Sequence, residues 1–401
     1  MHNSGKNKQE NPYFVTECDK IGEIAVQYGF TVIKTPKITA EDIIKSKQFK
    51  DFDYYDDAVE KIALTRWYID GKFDYISQPF AIHYKKPLGG SLLKKKTNQE
   101  MYGFEIIGSN RPTSEALLLK LAIAILNDLG YKDIYVDINS IGDRESIGRF
   151  ERELSNYYRK NAQNIPSKFR NEFRKNHYSI LTDKTIGNEN LRQEAPQTIG
   201  SLSDIGRLHF KEVLEYLETF GIDYKIKPNV LSNKLYATYT IFEIRKSKEP
   251  ESTEEGELLA YCYRYNHLAK KIGWKREISS IGMTMLVKKN PKISKKIIVK
   301  NIKKPRFYLV QLGETAKLKV LNVVEMLRKE KISVYHSITK DKIAGQLNGA
   351  EYVKATHVLI MGQKEALENT IVVRDIISRE QETVPIANLA DFLKNIEKGK
   401  K

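Results

Sequence analysis

At 401 residues, 41% of them hydrophobic and 29% charged, the chain can bury more than one core and is expected to form two domains or more. No apolar run approaches the roughly 20 residues that span a bilayer, and residues 1–10 carry neither an apolar core nor a cleavage signal, so no membrane-spanning helix or signal peptide is expected and the tail is predicted to be short and disordered. A formal net charge of +16 points to a polyanionic partner, nucleic acid before acidic membrane, because each Lys or Arg near phosphate releases counterions; a uniformly lysine-rich proteome would give the same balance.

Apolar residues at helical spacing (Ile21, Ile24, Ala25, Tyr28) predict a helix from 19, stopped by Gly29 ahead of a strand over 31–36. A second helix is expected over 111–129, with Pro112 in its first turn and Leu117, Leu121, Ala124 and Ile125 forming an inward stripe. Alternation of Ile134, Val136 and Ile138 with polar neighbours predicts a half-buried strand. The charged stretch 146–175 reads as helical; its Tyr157-Tyr-Arg-Lys160 and Lys168-Phe-Arg170 suit a phosphate backbone with stacked bases, or simply a solvated face. Further on come a helix over 208–220, a strand over 236–245 with Ile241 and Glu243 on one face, and a polar loop over 246–256. From 287 to 305 eight lysines occur without an acidic residue, which predicts a linker or a basic strip beside RNA. Beyond it, strand 307–312, helix 315–329, strand 332–335, helix 341–350, strand 357–361, hairpin 370–385 and a last helix imply an α/β unit with helices over a mostly parallel sheet.

Several fragments in one order carry a family resemblance. Tyr28-Gly-Phe-Thr-Val-Ile-Lys-Thr-Pro36, Met101-Tyr-Gly-Phe-Glu-Ile-Ile-Gly108, Ile138-Asn-Ser-Ile-Gly-Asp-Arg-Glu145, Cys262-Tyr-Arg-Tyr-Asn-His-Leu268 and Lys354-Ala-Thr-His-Val-Leu-Ile-Met-Gly362 together resemble the histidyl-tRNA synthetase family, from about Asp19 to the C-terminus. The resemblance implies an α/β (α+β) fold: a class II synthetase-like antiparallel sheet core flanked by helices over 11–290, with a helical insertion at about 146–207. A basic linker at 291–304 and an anticodon-binding-like domain at 305–401 would follow. It also implies a homodimer built on the first motif, a tRNA or structured-RNA partner, and a cytoplasmic setting. Cys18 and Cys262 are the only cysteines and sit outside any metal or disulfide spacing, in keeping with a reducing compartment and no metal site.

The same resemblance locates the chemistry. Activating histidine joins its carboxylate to the α-phosphorus of ATP, and the family supplies arginines because a planar, permanently charged fork matches phosphate oxygens. Here the second motif reads Pro87-Leu-Gly-Gly-Ser-Leu-Leu-Lys-Lys-Lys96, so the expected arginine falls near Gly89 or Gly90. Ser232 stands at the histidine-specific arginine, and Met285, preceded by Thr284, stands at the third-motif arginine. Lys94, Lys95, Lys96 and Lys234 are candidate substitutes for phosphate or RNA contact, as are Lys303 and Lys304 beside RNA. In the amino-acid pocket Glu105 matches the acid that pairs with the α-ammonium of histidine, Tyr236 matches a tyrosine, and Arg264 with Tyr265 lies in the signature segment. Met101 replaces a glutamine, and Glu60 matches a further acid only with a one-residue gap. Glu105 and Arg264 can equally be structural, Arg264 or a backbone donor being the neighbour that a buried Glu105 requires. No catalytic residue is assigned. The expectation is an RNA-binding synthetase-like protein with weak or no aminoacylation; the alternatives are a divergent active ligase, which alone needs ATP with Mg, and a regulatory scaffold subunit.

Overall fold

Asp19 starts the first helix: its carboxylate accepts the Gly22 N–H at 2.9 Å, satisfying a donor that has no partner within the helix. Helix α1 (Lys20–Gln27) ends at Gly29, whose φ of +84° is the left-handed conformation glycine adopts without a Cβ penalty. The computed structural model describes residues 15–52, 54–75, 78–86, 98–165, 178, 181, 189–247, 255–291, 293–298, 306–336, 338, 340 and 342–399. The 1–10 tail, Lys94, Lys95, Lys96, Lys303, Lys304, residues 248–254 of the predicted polar loop and residues 166–175 of the predicted 146–175 helix lie outside these residues.

Strand β1 (Glu17–Cys18) pairs only with β10 (Ile297–Ile298). The large sheet takes β2 (Thr31–Val32), β3 (Phe80–Lys85), β4 (Gln99–Ile107), β5 (Ile134–Ser140), β6 (Tyr224–Ile226), β7 (Thr238–Lys246), β8 (Glu257–Arg264) and β9 (Ser280–Lys288). Its order is β2-β3-β4-β9-β8-β7-β5-β6, antiparallel except at the outermost pair on each edge. The register fixes what each face offers, since alternate side chains point to opposite sides. One set of rows, Tyr102–Met285–Ala260 and Phe104–Met283–Cys262, enters the main hydrophobic core with α1 and α4 (Thr113–Asp128). The other set, Glu105–Gly282–Tyr263 and Gly103–Thr284–Tyr261, faces the opposite way.

Over that second face lie α3 (Ala58–Asp70) and the segment before it, a helix that the sequence reading did not anticipate, and α2 (Ala40–Ser46) packs on α3. Arg66 of α3 grips the capping Asp42 of α2 through two bonds of 2.9 Å. The charged α5 (Arg144–Lys160) buries Ser146, Phe150, Leu154 and Tyr158 at fourfold spacing and leaves its charges outward, which is the solvated-face alternative over this helix. Helix α6 (Asp204–Phe220) returns against α4.

The C-terminal sheet holds β11 (Phe307–Gln311), β12 (Val334–His336), β13 (His357–Met361), β14 (Thr370–Asp375) and β15 (Gln381–Pro385) in the order β12-β11-β13-β14-β15. Its first three strands are parallel, and the hairpin adds two antiparallel ones. Helices α7 (Glu314–Lys329), α8 (Ile343–Tyr352) and α9 (Ile386–Glu397) complete it. Through α7 it docks on the large-sheet unit: the Tyr28 hydroxyl donates to Glu325 at 2.7 Å, and Arg328 pairs with Asp128 at 2.8 Å. Val320, Val324 and Leu327 share one continuous core with Ile21, Ile24 and Leu121.

Candidate functional site

Glu105 arrives on the middle of β4 with no exposure to solvent, and such a carboxylate needs compensating partners. It has three. Lys61 of α3 places Nζ 2.7 Å from Oε1, Tyr84 of β3 donates to Oε1 at 3.0 Å, and Tyr265 donates to Oε2 at 2.9 Å. The same ammonium sits 5.0 Å from the centre of the Tyr265 ring and 5.5 Å from that of Tyr263, within cation–π range. Gly282, across from Glu105 in the register, leaves room for the pair: a Cβ there would collide with both the Glu105 carboxylate and Lys61 Nζ.

A second set of charges adjoins the first. Lys86 pairs with Glu60 at 2.7 Å and lies 3.7 Å from Asp57, while Asp57 accepts the Tyr263 hydroxyl at 2.6 Å and the Tyr261 hydroxyl at 3.2 Å. Burial works against the charge of Lys86, but Glu60 and Asp57 outweigh it and hold its pKa above the usual lysine value. Tyr55 lies flat on Tyr261, ring centres 4.1 Å apart and planes 4° apart, and donates to Glu243 at 3.1 Å. Burial first, then the neighbouring carboxylates, push the Tyr55, Tyr84, Tyr261 and Tyr265 hydroxyls well up, so all four remain donors at neutral pH. Side chains of the 55–61 segment thus occupy this part of the sheet face.

Of the residues marked from sequence, Glu105, Tyr265, Tyr236 and Glu60 gather on this face. Tyr236 is buried edge-on against Phe49 and next to Tyr263. Arg264 does not join them, which corrects its suggested role as the neighbour of Glu105. One residue before Tyr265, it points to the opposite side of the sheet and forks onto Glu115 of α4 with two bonds of 2.6 Å. It also donates to the carbonyls of Ser109 and Arg111, and His209 of α6 reaches the same Glu115 at 2.8 Å. Despite burial, Arg264 and His209 pull the Glu115 pKa down to about 2. Lys234 is tied to Glu151 at 2.7 Å.

Of the positions matched to phosphate-binding arginines, Gly89 and Gly90 lie outside the described residues, and the other two carry no cation. Ser232 is buried in the segment ahead of β7. Met285 lies in the core on the far side from Glu105, so no side chain at 285 reaches this face, which corrects its match to the third-motif arginine.

The residues that sequence reasoning missed include Lys61, Tyr84, Lys86, Asp57, Tyr55, Tyr261 and Tyr263. Lys61 carried no periodic signal, because α3 is buried almost all round and nothing in its spacing marks the lysine as inward-facing.

Comparison with known proteins agrees with this architecture. Residues 297–396 match the family described as "Anticodon binding domain". Histidine--tRNA ligase from Halothermothrix orenii is 30% identical over 330 residues, covering 81% of this chain and 75% of that protein. The Bacillus subtilis protein of the same name is 29% identical over 74% of this chain and 70% of its own length. The crystal structure of apo S. aureus histidyl-tRNA synthetase shares the fold, with a TM-score of 0.52 at 21% identity over 93% of both chains. With an antiparallel-dominated sheet, an appended α/β sheet unit and this extent of shared sequence, the chain belongs to the histidyl-tRNA synthetase family and carries a C-terminal anticodon-binding domain.

Proposed function

We propose that the chain binds tRNA or another structured RNA and activates histidine weakly or not at all. The observation that carries this reading is Ser232, neutral and buried at the position matched to the histidine-specific arginine. Phosphoryl transition states concentrate negative charge, and losing a single fixed donor typically costs about 2.7 to 4 kcal/mol, or roughly 10² to 10³ in rate. A loss of that size at the one matched position leaves weak turnover at most. Ser232 offers no charge to a triphosphate, so the residue at this matched position does not fit ATP with Mg.

RNA binding is supported by the anticodon-binding match and by the positive charge of the chain. A homodimer on the first-motif surface, a cytoplasmic location and a division into core (11–290), basic linker (291–304) and anticodon-binding unit (305–401) complete the proposal. Among the described residues no helix is long and apolar enough to cross a membrane.

Histidine-dependent exchange of pyrophosphate into ATP tests the catalytic half. A rate equal to the blank is expected; clear exchange requiring histidine overturns the proposal in favour of a divergent active ligase. Absence of tRNA affinity at low salt would instead favour a regulatory scaffold.

A further inference from the structure

We infer that Lys61 is a built-in occupant of an ammonium-binding pocket, and that this side chain keeps the ammonium of a free amino acid away from Glu105. The inference rests on the reading of this sheet face as an amino-acid site.

The pocket has the chemistry of an ammonium receptor on every side that the structure describes. Its anion is Glu105, held on both oxygens by the Tyr84 and Tyr265 hydroxyls, so the carboxylate is oriented before any cation arrives. Its walls are the Tyr263 and Tyr265 rings, whose π faces attract a desolvated cation. Its floor is Gly282, where any side chain would fill the space taken by the cation and its partner. These groups come from β3, β4, β9 and the end of β8, whereas the cation alone comes from α3, a helix laid over the sheet. A receptor made by the sheet and filled by an overlying helix differs from an ordinary ion pair in one respect: removing the helix's contribution should leave a preformed site.

Lys61→Ala deletes the equivalent of one n-propylammonium ion. In the full-length Lys61→Ala chain, n-propylammonium chloride is expected to raise the melting temperature saturably, with n-propanol and potassium chloride having no such effect. The native chain and Lys61→Met, whose neutral side chain fills the space, should not respond. Histidine should bind Lys61→Ala about tenfold or more tightly than the native chain, the factor expected from regaining one charged hydrogen bond. n-Propylammonium should compete with it. If Lys61→Ala does not fold unaided, its refolding yield in n-propylammonium against n-propanol reads the same preference.

Equal rescue by n-propanol would reduce the pocket to an apolar void, and histidine binding equally to native and Lys61→Ala chains would show that Lys61 excludes nothing; either result overturns the inference. Both assays measure binding without ATP. A positive pyrophosphate exchange by the native chain therefore sinks the proposed function, whereas equal histidine affinities sink only the occupant role of Lys61.

Discussion

Single residues decide which side of the large sheet is chemistry and which is frame. Arg264 and Glu115 are both fully buried, and the guanidinium spends its donors on that carboxylate and two backbone carbonyls. Such an arrangement ties the end of β8 to the start of α4. Breaking a buried pair from one side costs more than the pair contributes, because the remaining charge stays desolvated. Arg264→Met is therefore expected to lower the unfolding free energy by about 3 to 5 kcal/mol, read from the urea midpoint at pH 7. The pH dependence has a definite sign. The Glu115 pKa is about 2 in the fold against an ordinary 4.5, so its contribution is complete above pH 4.5 and disappears as the pH falls toward 2. That acid-labile contribution should shrink in Arg264→Met, and an unchanged acid profile would mean that Arg264 does not set the Glu115 pKa. On the other face Gly282→Ala is expected to destabilise as well, since its Cβ has to displace the Lys61–Glu105 pair and cannot move backbone held on both edges by β4 and β8.

At the scale of elements, periodicity was legible wherever one face of an element is buried and the other wet. Helices α1, α4, α6 and α7 and strands β5, β11 and β13 all lie where apolar spacing places them. Helix α3 was not legible, because Ala58, Lys61, Ile62, Ala63, Leu64, Thr65, Trp67 and Tyr68 are buried almost all round it and no polar stripe marks its outside. The candidate site shared that fate: Glu105 and Tyr265 were found through motif resemblance, while the cation between them comes from a helix without a periodic signature. Position on a strand also escaped the linear reading, since only the pairing register shows that Met285 and Arg264 lie on the side away from Glu105. The docking of α7 belongs to this scale too. His336 of β12 lies over Gly29, within 3.5 Å of where a Cβ would stand, and burial lowers its pKa from 6.5 to about 4. Burial lowers His83 of β3 to about 4 in the same way. A histidine with a depressed pKa supports the fold above its ordinary pKa, and the support is lost as the pH falls from 6.5 toward 4. His336→Phe, which keeps a ring over Gly29, should remove part of the acid destabilisation in that window and leave the His83 share. An unchanged melting-temperature profile between pH 7 and 4 would show that His336 is not buried at this contact.

The whole molecule carries an excess of positive charge that its ion pairs do not consume. At the end of β9 the chain sets Lys288 and Lys289 beside Lys246 in an open groove, and Lys295 and Lys296 follow before β10. Lys288 and Lys296 contact Glu257 and Glu17 at 3.6 and 3.0 Å, but both lysines are largely exposed, and surface pairs of this kind contribute little and yield readily to a phosphate. The strip also adjoins the anticodon-binding match, which begins at Ile297 on β10, so one backbone laid along it touches both. Binding through such contacts is driven by counterion release, and the logarithm of affinity then falls linearly with the logarithm of salt. Changing Lys288, Lys289, Lys295 and Lys296 together to Gln in the full chain should weaken tRNA binding and reduce the magnitude of that slope by about one for each phosphate no longer neutralised. Melting temperature should change little, because exposed side chains away from the cores seldom alter stability by more than about 0.5 kcal/mol. A slope identical to that of the native chain would move the RNA path away from this strip, and a flat native plot would remove phosphate contacts from the account altogether.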